Sequence, residues 1–479
     1  MDLITFSEIK INKPEIEKNK ISTDIILNNK ESFKLKFTYQ ENIEDIPGIE
    51  NLANMLVSSP IINYGLFTEK IYFDFPLSKE DIEYIKHNMD IISADIYVNR
   101  FLRVNNPYII EGYLPNKDHV NIEDSKTKAK IEVESIEDFK FQVKTDDKKV
   151  AILSSGGKES LLTYGLLNEM GFETHPMFFN ESGGHWKTAL PSYRYFSKNI
   201  KNTSKVWSNL DRFYLFMLDN MKFIKKNHRR IWSDNYPIRL FIFGPYIFAF
   251  LPLVIRRGIG NILLGSEYDD VRAEKYYHGI RHYYGIYDQS ADFDYYNTDY
   301  FKSKNLNIRQ WSIVRPITGL IVERILMKRY NYLYKLQRSC HSCHYENNDV
   351  YPCGKCSKCL GIISFILAND GDPRDINYKD EHIENLENNI SKTILKLDQD
   401  EKEHVFYILS KKGFKLEGKE HDHVEKIHID ESSPLDLIPE NFRRVFLIYK
   451  DYVKGVVKYE NGDFVDFNDF FDKLIQLKQ

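Results

Sequence analysis

The 479-residue sequence predicts an α/β protein whose core is a parallel sheet carrying a cysteine cluster. Three observations lead there. From Val150 onward, short apolar runs that end in glycine or polar turns alternate with helix-like segments, the pattern of strands joined by crossover helices. All five cysteines crowd between Cys340 and Cys359. The flanks follow a different grammar. Residues 1–147 read as an α+β N-terminal domain, 148–375 as the core, and 376–479 as a small α+β C-terminal appendix.

Taken in order, Ser32–Tyr39 alternates with period two and Lys70–Phe75 does the same, so both read as strands. Ser78 with an acidic first turn caps a helix running to about Ile92. After a charged linker, Thr145–Lys149, come a strand Val150–Leu153, a helix Leu161–Glu169 and a strand Glu173–Asn180. Phe213–Phe223 fits helix or strand. Ile238–Ile255 is almost long enough to span a membrane but contains Arg239, Pro245 and Pro252, so it reads as a buried helix kinked at Pro245. Gly260–Gly265 and Ile308–Val314 are further strands, the latter leading through Arg315-Pro316 into a helix ending at Leu326. In the appendix, Glu381 to about Lys396 and Asp400–Ser410 read as helices, Arg444–Tyr449 and Gly455–Tyr459 as strands, and Asn461-Gly462 as a turn.

A net charge of −4 argues against a global field for nucleic acid. With 42% hydrophobic residues, 32 Tyr and 31 Phe, the chain has material for large cores and ring-lined pockets. The N-terminus lacks a basic and apolar leader. A cytoplasmic enzyme with no membrane partner is expected, and no oligomeric state is implied.

The centre of the chemistry is Ser154-Ser155-Gly156-Gly157-Lys158-Glu159-Ser160, a glycine turn between a buried strand and a helix. Adjacent glycines let backbone approach a ligand closely. Hydroxyls bracket the turn, and the amides that open the helix favour an anion. Two more polar turns, Asn180–Trp186 and Gly265–Asp270, end other strands. In parallel sheets ligands bind outside the carboxyl ends of strands, where all three turns fall.

Cys353-Gly354-Lys355-Cys356-Ser357-Lys358-Cys359 is a double Cys-x-x-Cys turn. Such spacing suits tetrahedral zinc, with an iron–sulfur cluster as the rival. The fourth ligand is Cys343 or Cys340, with His341 and His344 as weaker alternatives. Four thiolates leave no open position, so the role expected is structural. His421-Asp422-His423 could also be ligands, but a solvated loop is the simpler expectation.

Ser155–Ser160 resembles the Ser-Gly-Gly-x-Asp-Ser loop of the PP-loop ATP pyrophosphatases (adenine nucleotide alpha hydrolase-like fold), with Glu159 where that family has Asp. Followed by Ser342-Cys343 and Cys353-Gly354-Lys355-Cys356-x-x-Cys359, it resembles 7-cyano-7-deazaguanine synthase, although those enzymes are shorter and have lysine where Ile321 stands. The whole layout is more similar to the ATP-dependent UDP-N-acetylmuramoyl-L-alanyl-L-glutamate epimerase family. The matching motifs are Asn180-Glu181, Val206–Arg212, Tyr236–Leu240, Gly265-x-Glu267-Tyr268-Asp269, Tyr287–Ser290, Arg315-Pro316, Ser339-Cys340-His341 and Pro352–Cys359, over residues 148–375. The resemblance implies an enzyme that splits ATP to AMP and pyrophosphate, adenylates the carboxylate of a small or peptide-like substrate, and inverts its terminal glutamate.

Ser154, Ser155, Gly156, Gly157, Lys158, Glu159, Ser160, Asn180, Glu181, Gly265 and Ser266 would then hold ATP, and Glu159 with Glu267 or Asp269 would hold Mg²⁺. Lys158, Ser160, His185, Glu267, Tyr268, His278 and His282 are candidates for catalysis, the histidines and Tyr268 as proton carriers. Arg239, Arg272, Arg281 and Arg315 could grip the substrate, near an aromatic pocket of Tyr276, Tyr277, Tyr283, Tyr284 and Tyr287. Cys340 is the fourth zinc ligand under the epimerase layout and Cys343 under the synthase layout. A synthase-like or sulfur-transferring ligase and a non-catalytic nucleotide-binding module are the alternatives.

Overall fold

The computed structural model describes residues 2–183, 185–231, 233, 236–283 and 287–476, with the side chains of His185, Ile475 and Gln476 outside the described set. One mixed sheet of eleven strands runs through the protein. Its N-terminal strands are β1 (Phe6–Ile11), β2 (Glu15–Glu17), β3 (Lys20–Leu27), β4 (Glu31–Tyr39), β5 (Thr68–Phe73) and β6 (Lys130–Val133). The parallel half is β7 (Asp146–Ser154), β8 (Glu173–Asn180), β9 (Ser204–Ser208), β10 (Ile259–Leu263) and, after a small hairpin of β11 (Tyr276–Tyr277) and β12 (Ile280–Arg281), β13 (Arg309–Trp311). The strand order is β13-β10-β7-β8-β9-β4-β3-β1-β5-β6, with β2 on β3. The halves join where β4 pairs antiparallel with β9, Thr38 opposite Trp207.

Helices α1 (Ile49–Ser58), α2 (Lys79–Ile96), α3 (Lys158–Glu169), α4 (His185–Asn199), α5 (Leu210–Asp219), α6 (Phe243–Arg256), α7 (Ala291–Ser303) and α8 (Gly319–Arg329) cover the sheet. The expected capping box of α2 is present, with Ser78 and Asp81 bonding each other's backbone. Residues 213–219 lie in α5, which resolves the helix-or-strand ambiguity as helix. Pro245 sits in the first turn of α6, where its missing N–H costs nothing, so the expected kink has no cause there; Pro252 is the proline inside the helix. No described helix is long and apolar enough to cross a membrane.

The sheet has two cores, divided by face and not by segment. Side chains alternate along a strand. Val150, Ile152 and Phe178 therefore join one cluster, and Ala151, Met177 and Val206 the other. The first cluster takes α3, α8, the cysteine segment and apolar residues of 376–479 such as Val405, Phe442 and Phe446. The second takes α6 and most of the N-terminal segment, including Phe37 and Tyr84. Phe442 stacks on Phe172 at 3.9 Å and meets Trp311 edge-on, so the C-terminal segment is packed into the body of the fold.

Two expectations for that segment are corrected. Arg444–Tyr449 is not a strand: Val445–Tyr449 is a helical turn that buries Val445, Phe446 and Tyr449 on one side. The apolar run carries no period-two alternation to reject helix. The helix expected from Glu381 is two short pieces, Asp380–Glu384 and Leu386–Ile390. Asn461 and Gly462 do form the turn between two antiparallel strands, both at positive φ.

Candidate functional site

Strand order decides where a ligand can enter. The chain leaves β7 for β8 and β9 on one side, then returns to β10 and β13 on the other. The topological switch point therefore lies at the carboxyl ends of β7 and β10, the general ligand crevice of open parallel sheets.

Two loops meet there. After β7, Gly156 adopts φ +77° and Gly157 leads into α3 without any side-chain cap on the helix's first amides. Ser154 Oγ lies 3.4 Å from Ser160 Oγ, Ser160 Oγ donates to Gly157 O at 3.2 Å, and Gly157 N reaches the exposed Ser155 Oγ at 3.4 Å. After β10, Gly265 passes so close that a Cβ on it would sit 2.6 Å from Glu159 Cβ. Ser266 is buried and its carbonyl accepts from Ser312.

Lys158 ties the loops together. Only 3% exposed, it contacts Glu159 of its own loop and donates to Glu267 Oε2 of the second at 2.5 Å. Burial disfavours its charge, but the two carboxylates outweigh that and hold its pKa above the usual lysine value. Burial opposes the ionised form of Glu159 too, and Lys158 overcomes it, so its pKa is lowered; in Glu267 burial wins and the pKa rises.

More carboxyls surround this pair, and sequence reading missed them. Glu401 Oε1 accepts from Leu320 N at the start of α8 at 2.9 Å, and burial followed by the charge of Glu267 pushes its pKa up to about 7. Asp398 accepts from Asp270 N at 3.3 Å and is pushed up to about 8 by burial and then Asp269. Glu323 on α8 is fully buried, bonded to Gln337 through one oxygen only, and pushed up to about 8 by burial. Asp398 and Glu401 belong to the segment that reads as an appendix. The available signal was an acidic helix start at residues 398–401, which resembles any solvated N-terminus.

A second polar cluster sits at the ends of β8 and β9. Arg239 is 7% exposed and sandwiched between the rings of Tyr214 and Tyr236, 4.3 and 4.0 Å from their centroids. Its bonds to Asp211 are long, 3.4 and 3.5 Å. Glu181 accepts from Tyr246 Oη at 2.7 Å, and Asn180 Oδ1 accepts from Ser182 N.

The other residues singled out scatter. His278 is exposed at positive φ in the β11–β12 turn. His282 is buried with neither ring nitrogen bonded, and burial lowers its pKa. Among the described residues, neither histidine hydrogen-bonds to the 154–160 or 264–270 loops. The His185 side chain and Tyr284 lie outside the described residues. Tyr268 donates to Asp430 at 3.1 Å and stacks on His428. Tyr287 packs in the core against Phe293, whereas Tyr276 is exposed. Arg315 is not available to grip a substrate: it is buried against Asp294 at 2.5 Å and donates to Gln289 O. Arg272 is held by Asp270 and Asp400.

The cysteines form a compact group that could hold a metal such as zinc. The Sγ atoms of Cys340, Cys353, Cys356 and Cys359 converge, with separations of 3.5 Å (Cys356–Cys359), 3.9 Å (Cys340–Cys356) and 3.9 Å (Cys353–Cys359). Thiolates around tetrahedral zinc at bonds of about 2.3 Å would lie about 3.8 Å apart. The amides of Ser342 and Cys353 point at Cys340 Sγ, as they would to a thiolate. Cys343 is buried but stands outside the group, so the choice left open between Cys340 and Cys343 falls to Cys340. The cluster adjoins the candidate crevice, since Arg338 N donates to Gly156 O and a Cβ on Gly157 would lie 3.9 Å from Ser339 Oγ.

No family model and no curated protein matches this sequence.

Proposed function

We propose that this protein is an ATP-dependent, AMP-forming enzyme of the PP-loop type that activates a substrate carboxylate, and that it epimerises the terminal L-glutamate of a peptide such as UDP-MurNAc-L-Ala-L-Glu. The reading rests above all on the 154–160 loop. It lies at the switch point of a parallel sheet, leads into an uncapped helix N-terminus and faces an acidic loop across Lys158.

The α-hydrogen beside a carboxylate is barely acidic. Adenylation removes the carboxylate's charge and makes that hydrogen labile, so one group can take the proton and another can return it on the opposite face. The loop amides, Ser155, Ser160 and Lys158 would hold phosphate oxygens. Glu159 and Glu267 supply the one or two carboxylates that Mg²⁺ prefers alongside phosphate. A phosphate on Lys158 would replace one of its present partners and leave that carboxylate for the metal. Glu401 and Asp398, with pKa values near 7 and 8, suit groups that exchange protons at neutral pH. Arg239, buried and stacked between two rings at the ends of β8 and β9, suits the substrate's carboxylate.

Membership of Cys340 in the thiol cluster favours the epimerase layout over the deazaguanine synthase layout, which would use Cys343. The test is incubation with ATP, Mg²⁺ and a panel of carboxylic acids in heavy water. AMP and pyrophosphate should form together with deuterium at the α-carbon of glutamate. AMP without deuterium would overturn the epimerase; AMP that depends on ammonia and a heteroaromatic acid would establish the ligase; pyrophosphate release with none of the acids would leave a nucleotide-binding module.

A further inference from the structure

The reading of His421 and His423 as a solvated loop does not hold. Both side chains are only 13% exposed and fold back onto the first turn of the helix Gln399–Lys411. His423 Nε2 lies 2.8 Å and His421 Nδ1 lies 3.2 Å from the same atom, Asp400 Oδ2. The three donor atoms fall within 4.8 Å of one another.

Hydrogen bonding alone explains this arrangement poorly. The other nitrogen of His421, Nε2, is 2.8 Å from Glu403 Oε2, so both ring nitrogens face carboxylate oxygens. A neutral imidazole has one N–H and one lone pair. It can satisfy one carboxylate but sets its lone pair against the other. A cation between Nδ1 and Asp400 removes that conflict: Glu403 then takes the Nε2–H and fixes the tautomer that presents the Nδ1 lone pair, the carboxylate–histidine–metal arrangement common around bound metals. Asp270 and Asp400 share one arginine here, and Glu403 faces His421 and Gln399. Arg272 contacts Asp400 but has its own partner in Asp270 at 2.8 Å.

We infer that Asp400, His421 and His423 form a second metal site, distinct from the thiol cluster, for a zinc-class divalent ion. Two imidazoles and a carboxylate suit such borderline ions and not Mg²⁺ or Ca²⁺. Zinc bonds of about 2.0–2.1 Å place ligand atoms about 3.3 Å apart, close to the 3.2 Å between His421 Nδ1 and Asp400; His423 Nε2, at 2.8 Å, would move out by about half an ångström to admit the ion. Three protein ligands leave a coordination position open to water or a substrate oxygen, unlike the closed thiol site. Through Arg272 and Asp270 the site adjoins the loop after β10.

The test is metal content and cobalt spectroscopy of the full chain, after loading with Zn²⁺ or Co²⁺ and removal of loose metal by gel filtration. The wild type should retain two ions per chain, one for each group. With Co²⁺ the thiol site gives intense thiolate charge-transfer absorption in the near ultraviolet and d–d bands in the visible, and the second ion adds further visible absorption with no charge transfer. His423→Ala and Asp400→Asn should each drop the count from two to one and remove that added visible absorption. Unchanged charge-transfer absorption in both variants reports that the fold and the thiol site survive. A wild type that holds only one ion, in the thiol cluster, would overturn the site. So would either variant retaining two ions.

Discussion

The thiol cluster and the Lys158 centre are both built from groups that repel one another until a partner of opposite charge arrives, but they are assembled in different ways. The cluster draws its four sulfurs from a 20-residue stretch, three of them from one double Cys-x-x-Cys turn. The Lys158 centre gathers Glu159, Glu267, Glu323 and Glu401 from the starts of helices and the ends of strands spread along the chain. In the first, neutralisation must come from outside, because four thiolates have no cation among them. In the second, one lysine is already present, and excess carboxyls are accommodated by holding protons. Local spacing can make a metal site, but a charge-balanced buried site needs the whole sheet to bring its parts together.

The largest expected break in this comparison is Cys356→Ser. It removes one of four converging sulfurs, three buried and Cys353 half-buried, and should cost several kcal/mol of stability together with any metal the group holds, read by thermal unfolding and zinc content. Cys343→Ser is the control and should leave zinc content unchanged. Loss of zinc from Cys343→Ser would place Cys343 among the ligands.

Next, Lys158→Met leaves two carboxylates facing each other without their cation, at a cost of about 3–5 kcal/mol in urea unfolding. Adding Glu267→Gln should restore part of that, with a coupling of roughly 0.5–3 kcal/mol. Strict additivity of the two changes would show that the lysine does not bridge the loops.

The third effect is pH-dependent. Burial raises the pKa of Glu323 to about 8 from an unfolded value near 4.5. The folded state therefore binds its proton more tightly than the unfolded state. The stability that this proton carries is complete below about pH 4.5 and is lost as pH rises through about 8. Glu323→Gln removes the titration and should flatten the fall in stability between about pH 4.5 and 8, by on the order of a few kcal/mol at the alkaline end of that window. A variant whose Tm falls as steeply as the wild type would place the titrating group elsewhere.

The smallest effect tests the contact between the loops. Gly265→Ala adds a methyl 2.6 Å from Glu159 Cβ, forcing the loops apart at a cost of about 1–3 kcal/mol. Gly171→Ala, at positive φ with open space around it, separates backbone strain from crowding. If Gly265→Ala cost no more than Gly171→Ala, close approach of the loops would not matter.

Much of this was legible in the chain itself, for definite reasons. Hydrophobic period and turn residues act over a few neighbours, so the strand ending at Ser154, the capped helix after Ser78, the glycine turn and the Cys-x-x-Cys spacing could all be read locally. Where local signals conflict or are weak, packing decided: Val445–Tyr449 became helix because that buries its apolar side, and Cys340 takes the fourth place because its sulfur, held by the amides of Ser342 and Cys353, converges with the other three. The roles of Glu401, Asp398, Asp400, His421 and His423 were beyond local reading altogether. Charged residues at a helix start look alike whether they face solvent or a crevice, and only the docking of residues 376–479 against the loop after β10 separates the two. The strand–turn–helix at Ser155–Ser160 and the thiol spacing follow from neighbours along the chain, which is why they can be read there. That Lys158 meets Glu267, and Asp400 two histidines, follows from the order of strands in the sheet and from which face each segment buries, and no local stretch carries that information.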